Sequence, residues 1–204
     1  MTHRVFGRNA RSSRAVPVKT MLNEVRNTPY VPWHWGKNQK GMQAEEECNE
    51  SINDWTLSDG SLDRVNAWCQ AATFACNAAE AFMEAGYHKQ NPNRLLEPFS
   101  WIDTLITSTE WDNFLWLRDH QDAEPHLQDL ARLLKQAMEH HQVSILPEGH
   151  WHLPYITDAD WIAADEYNRK TGVPVIDFLL MVSAARCARI SYKPFDGDSS
   201  YDKE

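Results

Sequence analysis

Residues 62–86 read Leu62-Asp63-Arg64-Val65-Asn66-Ala67-Trp68-Cys69-Gln70-Ala71-Ala72-Thr73-Phe74-Ala75-Cys76-Asn77-Ala78-Ala79-Glu80-Ala81-Phe82-Met83-Glu84-Ala85-Gly86. Alanine is the strongest helix former, and glycine belongs just past a helix C-terminus. The stretch therefore predicts a long helix over 62–85. Working outward, the same signals predict helices over 18–26, 107–118, 127–140, 159–170 and 175–189. Over 127–140, Leu127, Leu130, Leu133, Leu134 and Met138 recur at helical spacing, and Glu124 and Pro125 suit a first turn. Gly172 and Pro174 separate the last two helices. Segment 27–43 carries Pro29, Pro32, Gly36 and Gly41 and reads as a loop, and 143–157 reads as irregular or extended. The chain is expected to be mainly helical, with at most a few short strands.

At 204 residues and 42% hydrophobic content, the chain can bury a real core. The longest apolar run, near 173–188, is broken by Asp177 and Arg186, so no membrane span is expected. No apolar leader region opens the chain, and a cytoplasmic protein of a bacterium or a phage-infected host cell is expected. Cys48, Cys69, Cys76 and Cys187 are scattered without a Cys-x-x-Cys, which predicts free thiols. The net charge of −9 argues against nucleic acid as a partner. Nine tryptophans are expected in a core or an interface. Glu45, Glu46, Glu47 and Glu50 read as a solvated acidic face.

The first nineteen residues run against the acidic balance. Arg4, Arg8, Arg11, Arg14 and Lys19 precede the first acid, Glu24. Ser12, Ser13 and Asn9 are interleaved with them, all groups that hold phosphate. An irregular anion-binding segment is the functional reading, and a solvated basic tail the plain one. His140, His141, His150 and His152 have no ligand-like spacing, so no metal site is expected. Gly-x-Ser-x-Gly, Gly-x-Gly-x-x-Gly and Walker sequences are absent. What stands out is a set of arginines: Arg14, Arg94 and Arg118, the last closing the aromatic segment Trp111-Asp112-Asn113-Phe114-Leu115-Trp116-Leu117-Arg118. Converging arginines would suit a nucleotide's phosphate and base oxygens. An arginine at the end of an apolar face is otherwise a surface snorkeller.

Thr2-His3-Arg4-Val5-Phe6-Gly7-Arg8-Asn9-Ala10-Arg11-Ser12-Ser13-Arg14 resembles the signature R-H-R-x-x-S-x-N-x-x-S-x-R of the flavin-dependent thymidylate synthases, the ThyX type. His3, Arg4, Asn9, Ser12 and Arg14 match it, while Thr2 and Gly7 depart from it. Asn93-Arg94-Leu95-Leu96-Glu97-Pro98 is similar to the family's A-R-x-x-L-P. Asn113-Phe114-Leu115-Trp116-Leu117-Arg118, followed by Ala123-Glu124-Pro125-His126-Leu127, is similar to its N-F-L-x-L-R and A-Q-x-E-I. Where the family has N-A-R, this chain has Thr107-Ser108-Thr109. Ala185-Arg186-Cys187-Ala188-Arg189-Ile190-Ser191-Tyr192 resembles A-A-R-V-S-Y, here near the C-terminus, as in the rearranged variety of large phages and some bacteria. Segment 27–91 carries little of the likeness.

The resemblance implies an α/β (α+β) fold, predominantly helical with a small sheet, forming one domain over 1–192 with a polar tail at 193–204. Against the family pattern the chain looks shortened at both ends. The resemblance also implies a homotetramer with shared active sites. The implied reaction methylates dUMP to dTMP, with FAD as cofactor and NADPH and methylenetetrahydrofolate as co-substrates. Carried over residue by residue, Ser12, Arg14, Arg94 and Arg118 would bind dUMP. Arg118 would also serve catalysis by favouring ionisation of the uracil. His3, Arg4, Asn9 and Asn113 would contact FAD. The alternatives are a family member that binds nucleotide or partner subunits without catalysis, and a nucleic-acid-binding module using the basic first segment.

Overall fold

The computed structural model describes residues 6–40, 46–57, 59–142 and 144–189. It is predominantly helical with two small two-stranded sheets, an α+β arrangement. Among the described residues, no helix is long and apolar enough to cross a membrane. The chain divides into two compact units. The first holds the described residues of Met1–Arg11, Ile102–Thr107 and Gln142–Glu204, and the second is Ser12–Trp101 with Ser108–His141.

The second unit is built on three helices. Helix α1 (Val18–Asn27) buries Val18, Met21, Leu22 and Val25, a stripe repeating every three or four residues. Helix α2 (Arg64–Glu84) faces it with small side chains, Ala72, Cys76 and Ala79, which let the two backbones approach. Helix α3 (Gln90–Leu96) adds Leu96, and Phe99 just beyond it closes the same core. The Asp63 carboxylate caps α2, accepting from the Val65 and Asn66 amides at 2.9 and 3.0 Å. Gly86, at φ +82°, ends it in the left-handed region that favours glycine. Before α2, strands β2 (Ile52–Asn53) and β3 (Ser61–Leu62) pair antiparallel, with Ile52 opposite Leu62. After α3 the chain enters the first unit for most of strand β4 (Thr104–Ser108) and then forms helix α4 (Asp112–Arg118) and helix α5 (Pro125–His140) of the second.

Two local expectations are corrected. Residues Phe6–Ala10, expected to be irregular, form strand β1, which pairs with β4. The Arg11 amide continues the contact by donating to the Asp103 carbonyl at 2.9 Å. The helix expected over 107–118 begins only at Asp112, because Thr104, Ile106 and Thr107 are β-branched and favour the extended chain. Gly7 permits the pairing: a Cβ there would meet Thr107 Oγ1 at 2.6 Å.

In the first unit, α6 (Asp158–Thr171) and α7 (Val175–Ala188) bury Ala164, Phe178, Leu179 and Val182 between them. Asp160, 1% exposed, receives both ends of the Arg186 guanidinium at 2.7 and 2.8 Å. The same carboxylate caps α6 through the Thr157 amide and hydroxyl, at 2.6 and 2.8 Å. Arg186 also donates to the Tyr155 carbonyl at 2.7 Å, and Tyr155 has a φ of +62°. One buried acid thus joins a helix start, a loop and the far end of α7.

Trp33, Trp55, Trp101, Trp116, Trp151 and Trp161 are exposed, so most tryptophans do not fill the core of this chain. Glu46, Glu47 and Glu50 are exposed, as a solvated face requires, and Glu47 also accepts from the Trp35 amide and pairs with Arg64 and His34. The polar tail at 193–204 lies outside the described residues.

Candidate anion-binding site

The connection from β1 to α1 is a tight turn. The Ala15 amide donates to the Ser12 carbonyl at 3.0 Å, so Ser13 and Arg14 occupy the central positions and Arg14 projects outward. This turn is fastened to α3 along one stripe of that helix. Lys89 Nζ donates to the Ala15 carbonyl at 2.8 Å. Asn93 Nδ2 donates to the carbonyls of Ser13 and Val16 at 2.6 and 2.9 Å. The Ser13 hydroxyl donates to the Glu97 carboxylate. Residues 89, 93 and 97 are four apart, so they lie on one helical face. The clamp brings the turn carrying Ser12 and Arg14 onto the helix carrying Arg94.

Ser12, Arg14 and Arg94 are all exposed. Arg118 is half-buried in the last turn of α4, which packs on α5. Among the described residues, the guanidinium groups of Arg14, Arg94 and Arg118 make no ion pair or hydrogen bond. Their nearest acids in sequence are engaged elsewhere. Glu97 accepts from Ser13, and Asp119 holds Arg132 at 3.0 Å and Lys135 at 3.6 Å. In a chain of net charge −9, each arginine left without a counter-charge among the described residues is a candidate anion-binding group.

No protein-family model matches the chain, and neither does any curated protein or solved structure.

Of the other candidate residues, His3 and Arg4 lie outside the described residues. Asn9 is half-buried on β1. Its amide nitrogen donates to the carbonyls of Cys187 and Ala188 at 2.7 and 2.9 Å and so caps the C-terminus of α7, while its amide oxygen has no partner among the described residues. Asn113 is exposed in the first turn of α4. The contacts above set the turn of Ser12 and Arg14 against the helix that carries Arg94, with no hydrogen bond between these three side chains; Arg118 and Asn113 belong to the α4–α5 pair. Among the described residues, no group of three or more metal-ligating side chains forms.

A second polar cluster of this unit escaped sequence reading. The His126 ring lies 4.8 Å from Trp33, with Tyr30 and His34 each at 6.4 Å. His126 Nδ1 sits 2.6 Å from Glu124 Oε1. Burial pushes the Glu124 carboxyl up, but hydrogen bonds from His126 and from the Leu127 amide pull it down further, and its pKa is lowered overall. Glu47 is likewise lowered, chiefly by the hydrogen bond from the Trp35 amide and then by Arg64. The Lys89, Asn93 and Glu97 stripe was missed as well. Its signal was visible as polar residues at i, i+4 and i+8, but its partners lie more than seventy residues away.

Proposed function

We propose that the chain is a flavin-dependent thymidylate synthase that methylates dUMP to dTMP, using methylenetetrahydrofolate as carbon donor and NADPH as reductant. The observation that carries the reading is the clamped turn, which sets Ser12 and Arg14 beside the helix of Arg94, both arginines having no counter-charge among the described residues. These are the positions that the family signature would give to the nucleotide. A phosphate dianion satisfies what this arrangement lacks, through charge-assisted hydrogen bonds from planar guanidinium donors.

Arg118 takes the base. A half-buried guanidinium with no acid partner stabilises negative charge developing on the uracil ring, and this raises the electron density at its C5 carbon. Because Asp119 is already held by Arg132 and Lys135, it does not quench that charge. The resemblance gives Asn9 and Asn113 each a FAD-binding role. Asn9 has an amide oxygen without a partner among the described residues and Asn113 an exposed amide, and either group can hydrogen-bond a flavin ring. His3 and Arg4 complete the FAD set by resemblance. When bound, FAD supplies the carbon transfer and the hydride, and the chain's residues bind, orient and neutralise charge. A homotetramer of shared sites belongs to the same reading, and the exposed tryptophans are compatible with it.

The test is turnover. Purified chain supplied with FAD, NADPH, methylenetetrahydrofolate and dUMP should form dTMP, followed by chromatography. Tight dUMP binding without any dTMP would move the chain to the non-catalytic alternative. Absence of both would end the proposal.

A further inference from the structure

We infer that Asn93 is a positioning residue for the phosphate site, holding the Arg14 turn in its binding shape through two hydrogen bonds from one amide; this rests on the nucleotide reading above. Asn93 is fully buried, at 0% exposure. Its Nδ2 group carries two donors and gives one each to the Ser13 and Val16 carbonyls, at 2.6 and 2.9 Å. Those carbonyls flank Arg14 on either side, so the two bonds fix the backbone from which its guanidinium projects. Aspartate would set a carboxylate against two carbonyl oxygens, and alanine or leucine would take the donor from the buried Val16 acceptor and from the part-buried Ser13 one.

Position 93 is also where this chain leaves the pattern it resembles, with asparagine standing where A-R-x-x-L-P has alanine. An alanine there could make no such clamp, so this turn is held by a device of its own. The Asn93 Oδ1 atom is buried without a partner. A buried amide with one half unsatisfied is a cost, and here the other half is fully engaged in holding the turn. Lys89 and Glu97, one helical turn to either side, fasten Ala15 and Ser13 along the same stripe. Pre-shaping the turn lowers the ordering cost of binding a phosphate.

The test pairs ligand affinity with backbone exchange, using dUMP and deoxyuridine as probes on the full chain. Asn93→Ala should weaken dUMP binding by about tenfold or more, as expected for two lost hydrogen bonds. Deoxyuridine, which lacks the phosphate, should bind as before. Amide exchange should rise in residues 12–16 and stay unchanged in α2. Lys89→Met, at a half-buried position, should give the same pattern at smaller amplitude, and it decides the matter if Asn93→Ala does not fold. Unchanged dUMP affinity in the variants, or equal weakening of dUMP and deoxyuridine, would overturn the inference. If the unaltered chain binds no dUMP, the nucleotide reading fails by itself. The exchange data then still judge the clamp: faster exchange in 12–16 supports it and unchanged exchange rejects it.

Discussion

Arg118 and Asp160 are opposites among the charged residues. Arg118 has no partner among the described residues, so little of the fold leans on it. Arg118→Ala should therefore leave the unfolding free energy from urea titration within about 0.5 kcal/mol of the parent, as for a change that removes no partnered group. It should lower dTMP formation by about 100-fold or more, the scale of one lost charge-stabilising donor. A variant that kept its rate would remove Arg118 from the catalytic role. Asp160 carries the reverse signature, since it is buried and anchors Arg186, Thr157 and the start of α6. Asp160→Ala leaves the Arg186 charge without its partner and should cost about 3–5 kcal/mol in denaturant unfolding. The arginines could be picked out from sequence because they stand in the short motifs that carry the resemblance. Asn93 and Asp160 could not, because a buried polar group declares itself only through partners brought in from elsewhere in the chain.

Among the elements, the long helix was the most legible, since its alanines and Gly86 act locally. Its start was less so: Leu62 belongs to β3, and the cap is Asp63. Asp63→Ala should cost about 1 kcal/mol, read by thermal or urea unfolding, because the Val65 and Asn66 amides lose their acceptor. A cost near zero would mean that water replaces the cap fully. The β1–β4 pair was illegible for a physical reason. Gly7 and Asn9 have low strand propensity, and the partner strand lies almost a hundred residues away. The extended run at 104–108 was readable from its β-branched residues. It was absorbed into the following helix because nothing in Thr109 or Glu110 marks a sharp boundary.

At the level of the whole molecule, several carboxylates titrate below their ordinary values. Asp63 is lowered first by the Asn66 amide, Glu80 by the hydrogen bond from Arg26, Asp54 by Thr56, and Glu47 by the Trp35 amide. A carboxyl whose native pKa is depressed contributes stability above its unfolded value and loses that contribution as pH falls through the native one. Urea midpoints should therefore hold from neutral pH down to about 5 and fall below about 4. A midpoint that rose on acidification would contradict these pairings. The helical character of the chain was open to composition and periodicity. The placing of the proposed binding residues was not, because it depends on a turn meeting a helix across more than seventy residues.

The most direct measurement is the visible absorption spectrum of the purified chain mixed with FAD and then titrated with dUMP. The account predicts a protein-bound flavin spectrum that shifts as dUMP fills the site beside it. A flavin that stays free in solution, with a spectrum indifferent to dUMP, would contradict the synthase reading.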